Sequence, residues 1–126
     1  YMKQRKVRFT AGNIVITAAL NNSPTADVVW DALPIEGDGG NPGFELYVRT
    51  PIKVAQADDA TDLLEMGSLI YSPGWHTLCV FYGPTPTSLG DEIRAAEPVN
   101  LLGCVEGDPS VLKDVELETR VIVEKA

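Results

Sequence analysis

The sequence predicts a mostly β protein, with about eight short strands closed into a barrel and two short helices covering it. Three observations predict this class. Short alternating or β-branched runs recur along the 126 residues, separated by Gly, Pro, Asn and Ser turn signals. Only two helix starts stand out, at Ser23-Pro24 and Asp108-Pro109. A set of short strands this large is best relieved of its exposed edges by closure. The length suits a single domain, residues 1–126, which at this size buries roughly two-thirds of its unfolded surface without a staple. Residues 1–5 are expected to be a frayed tail.

Residues 6–10 alternate, with Val7 and Phe9 on one face. Ala11-Gly12-Asn13 is a turn, and the β-branched run 14–20 completes a hairpin. Ser23 then caps a helix over 24–33, with Pro24 in its first turn and Ala26, Val29, Trp30 and Leu33 as its apolar stripe. Pro34 stops it. Residues 36–43 hold four glycines and no large apolar side chain, and read as a loop. In strand 44–49, Phe44, Leu46 and Val48 point one way and Glu45, Tyr47 and Arg49 the other. Residues 52–54 are a candidate continuation beyond Pro51. Residues 57–65 read as an acidic loop or a single helical turn.

Leu69-Ile70-Tyr71 and 78–82 form a second hairpin around the turn residues Ser72-Pro73-Gly74-Trp75. Residues 91–96 are too short a stretch to assign. A strand follows at 99–105, then a short helix 109–114 capped by Asp108. The last strand, 116–124, puts Leu117, Thr119, Val121 and Val123 on one face and Ile122 among the solvent-facing residues.

Charge narrows the function classes. The chain carries a net charge of −8. Lys3, Arg5, Lys6 and Arg8 cluster at the start, whereas every acidic residue lies beyond position 26. Such a body repels phosphate backbones, so nucleic acid is not the expected partner. No apolar run reaches the ~18 residues of a membrane helix, so no membrane partner is expected. The basic start is followed by no signal-peptide core, and a cytoplasmic location is the expectation. Cys79 and Cys104 lie in apolar runs and read as buried free thiols. One histidine and no CxxC leave no structural zinc pattern. Asp58, Asp59, Asp62 and Glu65 lack the glycine punctuation of a calcium loop. No metal or cofactor is expected.

Phe9-x-x-Gly12-x-Ile14-x-Ile16, followed by Ser23-Pro24-Thr25, Trp30 and Leu33, resembles the opening of cyclophilins. Gly103-Cys104-Val105-Glu106-Gly107, then Val111-Leu112 and Val115, resembles their ending. The resemblance implies a cyclophilin-like barrel. It also implies a site in which an arginine and a glutamine reach a proline-containing substrate. The middle of the chain departs: Thr77-Leu78-Cys79-Val80-Phe81 stands where cyclophilins have Ser-Gln-Phe-Phe, placing Leu78 at the glutamine, and Arg49 is the one candidate for the arginine. Trp30-Asp31-Ala32-Leu33-Pro34-x-x-Gly37, Glu45-x-Tyr47, Gly67-x-x-x-Tyr71-x-Pro73-Gly74 and Phe81-Tyr82-Gly83 look more like a group of small uncharacterised bacterial and archaeal cyclophilin-like proteins. A shared fold does not carry function with it.

The candidate ligand-binding residues are Tyr47, Arg49, Tyr71, Trp75, His76 and Tyr82. Aromatics with polar tips line pockets. Arg49 can polarise an amide, and His76 is the one side chain with an ordinary pKa near neutrality. No Ser/Asp partner accompanies His76, so no catalytic residue is assigned. The expected function is binding of a small molecule or short peptide without prolyl isomerase chemistry. The alternatives are a weak prolyl isomerase, or a structural module that self-associates as a homo-oligomer.

Overall fold

The computed structural model describes residues 4–126. Nine strands, one α-helix and one 3₁₀ helix follow in order: β1 (Lys6–Ala11), β2 (Ile14–Leu20), α1 (Pro24–Ala32), β3 (Ile35–Gly40), β4 (Glu45–Arg49), β5 (Thr61–Leu64), β6 (Ser68–Ser72), β7 (Thr77–Phe81), β8 (Ile93–Glu106), the 3₁₀ helix (Pro109–Asp114) and β9 (Glu118–Lys125). Eight strands pair antiparallel in the order β2-β1-β9-β3-β4-β7-β6-β8. The β8–β2 pairing, from Thr17↔Glu106 to Leu20↔Gly103, closes the ring. The closure expected of the strands is therefore met. β5 stands outside the ring, paired to the first half of β8.

Period-two alternation fills the ring. Val7, Phe9, Ile16, Ala18, Leu46, Val48, Leu69, Tyr71, Leu78, Val80, Leu102, Val121 and Val123 share one interior cluster. A second cluster, Leu64, Ile70, Cys79, Phe81, Ile93, Ala95 and Val99, lies on the outer face of β6 and β7. There β5 and the first half of β8 form an extra layer. Both faces of β6 and β7 are thus buried, which explains their nearly unbroken apolar sequences.

Both helix starts form as the capping residues predict. Ser23 Oγ accepts the Ala26 N–H at 3.2 Å, and Asp108 Oδ1 accepts the Ser110 N–H at 2.9 Å. The α-helix ends at Ala32, with Leu33 as its C-cap. Ala26 and Val29 are buried, while Trp30 is half-buried under the cations of Arg5 and Lys125. Arg5, expected in the frayed tail, also pairs with Asp27 at 2.9 Å; residues 1–3 lie outside the described residues.

Several segments differ from their sequence reading. The glycine-rich stretch read as a loop contains β3, paired to β9 from Ile35↔Val123 to Gly40↔Glu118. Its glycines are there for contact. A Cβ at Gly39 would stand 2.3 Å from the Tyr47 carbonyl oxygen and 2.8 Å from Val121 Cγ2. The acidic segment 57–65 contains β5, and the unassigned 91–96 opens the long strand β8. Residues 52–54 are not a strand; Tyr71 fixes them instead. Leu117 precedes β9 and is 69% exposed, whereas Ile122 is half-buried. Cys79 is buried but Cys104 is exposed, and both are free thiols. No helix among the described residues is long and apolar enough to cross a membrane.

Candidate functional site

The outward faces of β4, β7 and β6 and the first half of β8 enclose a groove of about 390 Å³. Ile70, Cys79, Phe81, Ala95 and Val99 give it an apolar floor, all nearly inaccessible to solvent. Glu45, Tyr47 and Arg49 form one wall, because alternation along β4 sends Leu46 and Val48 inward and these three outward. Trp75, in the turn between β6 and β7, and Glu97 on β8 stand at the mouth.

Three of the six residues chosen from sequence, Tyr47, Arg49 and Trp75, therefore meet in one groove. The Arg49 guanidinium lies over the Tyr47 ring, 5.9 Å from its centroid. The other three do not line it. Tyr71 and Tyr82 belong to the ring interior. Their position along the chain foretells this: each shares the parity of inward residues on its strand, Leu69 for Tyr71 and Leu78 and Val80 for Tyr82. His76 sits in the turn at φ 54° and faces Tyr71.

The Tyr71 hydroxyl is a structural junction. It donates to the Ile52 carbonyl at 2.7 Å and accepts the Val54 N–H at 3.2 Å. The same oxygen lies 3.2 Å from His76 Nδ1, within hydrogen-bond distance. Tyr71→Phe is expected to destabilise the fold by about 1–2 kcal/mol through the orphaned Ile52 and Val54 groups. Chemical denaturation measures the loss, and ligand titration of the groove should be unchanged.

Sequence reasoning missed Glu45, Cys79, Phe81 and Glu97. Glu45 carried a usable signal, sharing a face with Tyr47 and Arg49. Its carboxyl is pushed above the usual carboxylate range by burial, which outweighs an opposing hydrogen bond from the Cys79 thiol. Burial, and then the neighbouring Glu45 charge, push the Cys79 thiol well up as well, so this sulfur is protonated and unreactive at neutral pH. Thr77 Oγ1 lies 3.3 Å from the same sulfur.

The β7 register places Leu78 inside the ring. The groove-facing β7 positions are Thr77, Cys79 and Phe81, with Thr77 directly across from Arg49. None of the groove residues is a glutamine.

A closed antiparallel ring of eight strands, with a short capped helix after β2 and another before β9 and with an outer groove, defines a protein of the cyclophilin-like class. The family match agrees: the chain belongs to the Cyclophilin-like family, whose profile matches residues 5–124. Among solved structures it resembles a hypothetical protein of Archaeoglobus fulgidus determined in solution, with a TM-score of 0.83 and 28% identity, over 98% of this chain and 95% of that one. No curated protein sequence matches the chain.

Proposed function

We propose that this protein is a binding module that takes a short peptide or small molecule into the outer groove, without prolyl isomerase chemistry. The observation that carries the reading is the groove itself: a dry apolar floor beside a carboxyl, a guanidinium and two aromatic rings. Twisting a prolyl amide through its ~20 kcal/mol barrier calls for donors aimed at the amide. Arg49 is the groove's single cationic donor, and it is exposed and stacked on Tyr47. Beside it, Thr77 supplies a hydroxyl in place of an amide.

Two measurements test this. A coupled-protease assay with a proline tetrapeptide should show no rate above the uncatalysed one. Acceleration abolished by Arg49→Ala would overturn the non-catalytic reading. In a Trp30→Phe background, Trp75 becomes the sole tryptophan reporter at the groove mouth. A peptide and metabolite screen should shift its emission, and Phe81→Ala should remove the response by opening the floor. Self-association stands second: β5 pairs only with β8 among the described residues, and Leu63 on it is exposed.

A further inference from the structure

We propose that the groove selects the protonated amine of an apolar ligand, seating the ammonium on Glu45 and the apolar body on Ile70, Phe81 and Val99. The inference rests on the groove being a binding site and names the chemistry that it accepts.

Glu45 is the more buried of the groove's two carboxylates, Glu97 being exposed. It is half-buried at the β4–β7 pairing, opposite Phe81. Every ion pair among the described residues lies elsewhere, so none of the described cations pairs with Glu45. A partly desolvated carboxyl whose hydrogen-bond donor is a thiol is an incompletely satisfied acceptor. An ammonium supplies both the charge and the hydrogen bonds that are missing. The floor next to it is apolar, with Ile70, Phe81, Ala95 and Val99 all buried, while the buried hydroxyls of Ser72 and Thr77 lie at the Arg49 end of the groove. Trp75 adds an aromatic ring, which also attracts cations, whereas the Tyr47 ring already carries the Arg49 guanidinium. The chain's net charge of −8 draws cations toward the surface as a whole.

Other charged and titratable groups stand on each wall of the groove. β4 contributes Tyr47 and Arg49, β7 contributes Cys79, and β8 contributes Glu97; His76 in the turn faces Tyr71 instead. Arg49 lies four residues from Glu45 on β4, and its guanidinium rests over the Tyr47 ring and forms no ion pair with Glu45. Cys79 stays protonated, so Glu45 is the group whose ionisation switches amine binding. Burial favours its neutral form, and an ammonium favours its charged form. Binding therefore releases a proton when the pH lies below the raised Glu45 value, and weakens as the pH falls through it.

The shared chemistry, a primary ammonium on an apolar body, occurs both in free amines and at peptide N-termini. The test separates them. Trp30→Phe protein is titrated at pH 7.5 with 2-phenylethylammonium, with its neutral isostere 2-phenylethanol, and with Leu-Ala-Ala-amide before and after N-acetylation. At least one ammonium probe should bind ten-fold or more tightly than its neutral counterpart. Glu45→Gln should erase that preference while leaving the alcohol's affinity within two-fold, and Glu116→Gln, an exposed carboxylate away from the groove, should leave the preference intact. The preference should also fall as the pH is lowered from 7.5 to 4. Equal binding of charged and neutral probes would overturn the amine proposal and leave the groove as an apolar site. An equal loss of preference in Glu116→Gln would overturn it in favour of general surface charge. Failure of every probe to bind would overturn it together with the groove reading.

Discussion

Gly103→Ala is expected to lower stability by about 3 kcal/mol, at the upper end of ordinary overpacking, and Tm by about 10 °C for a chain of this size. Gly103 sits in β8 in register with both Leu69 of β6 and Leu20 of β2. It is the point at which the ring closes. A Cβ there would stand 1.9 Å from the Ala19 carbonyl oxygen, 2.9 Å from its carbon and 3.1 Å from Leu20 Cα. All three are backbone atoms of the paired strand, so no side chain can swing aside. Relief requires β2 and β8 to part, and parting exposes two strand edges to other chains. Gly12→Ala is the matched control. Gly12 has φ +62° but nothing within 4 Å of its added Cβ, so only the backbone penalty of about 1 kcal/mol applies. Thermal and urea unfolding of both variants decide the matter. A Gly103→Ala protein no less stable than Gly12→Ala would mean that the seam is looser than this packing implies.

The second large effect is expected at Asn41, the buried residue just after β3. Its Nδ2 donates to the carbonyls of Leu112 at 2.8 Å and Val115 at 3.1 Å, closing the end of the 3₁₀ helix. Its Oδ1 accepts the Tyr82 hydroxyl, which also reaches the Gly43 carbonyl at 3.1 Å. Asn41→Leu keeps the branched shape and removes the three side-chain bonds that Asn41 makes, leaving the Tyr82–Gly43 bond. The Val115 carbonyl and the Tyr82 hydroxyl each lose a partner while the Leu112 carbonyl keeps the Val115 N–H, so at about 1–3 kcal/mol for an unpaired buried group a total of about 2–3 kcal/mol is expected. Tyr82→Phe alone should cost about 1 kcal/mol. In the Asn41→Leu background it should cost much less, because its main acceptor is already gone. A double-mutant cycle by urea denaturation should therefore give a coupling of about 1 kcal/mol. Additivity within experimental error would show that the two side chains act independently. Tyr82 was chosen from sequence as a ligand contact, and this cycle measures the structural role that it occupies instead.

Both predictions concern segments whose sequences say little by themselves, which shows where legibility ended. Local chemistry was readable. Ser23-Pro24 and Asp108-Pro109 made caps and helices where such pairs must, because the cap bonds join residues two or three apart. The first and second hairpins, and the split of β4 into an inward Leu46/Val48 face and an outward Glu45/Tyr47/Arg49 face, follow from a period of two. That period brought Tyr47 and Arg49 to the groove. Applied one strand further, it would have excluded Tyr71 and Tyr82 and admitted Glu45. The family resemblance, carried by motifs at both chain ends, was likewise legible.

What only the tertiary structure decided has one physical source: partners far apart in sequence. Ile35–Gly40 lacks the composition of a strand. It is one because β9, about 80 residues later, supplies its hydrogen bonds, and because Gly37 and Gly39 permit the close approach of β4 carbonyls. Thr61–Leu64 and Ile93–Ala95 are too polar or too short to announce themselves, and become strands by pairing with each other over an apolar patch outside the ring. That outer layer supplies Ala95, Glu97 and Val99, one wall of the groove. The sequence by itself determined the ring-forming elements, the helix ends and the outward face of β4. The depth of the groove, the burial of Glu45 and the parity that turned Leu78 inward were decided by long-range strand pairing, whose register no local pattern encodes.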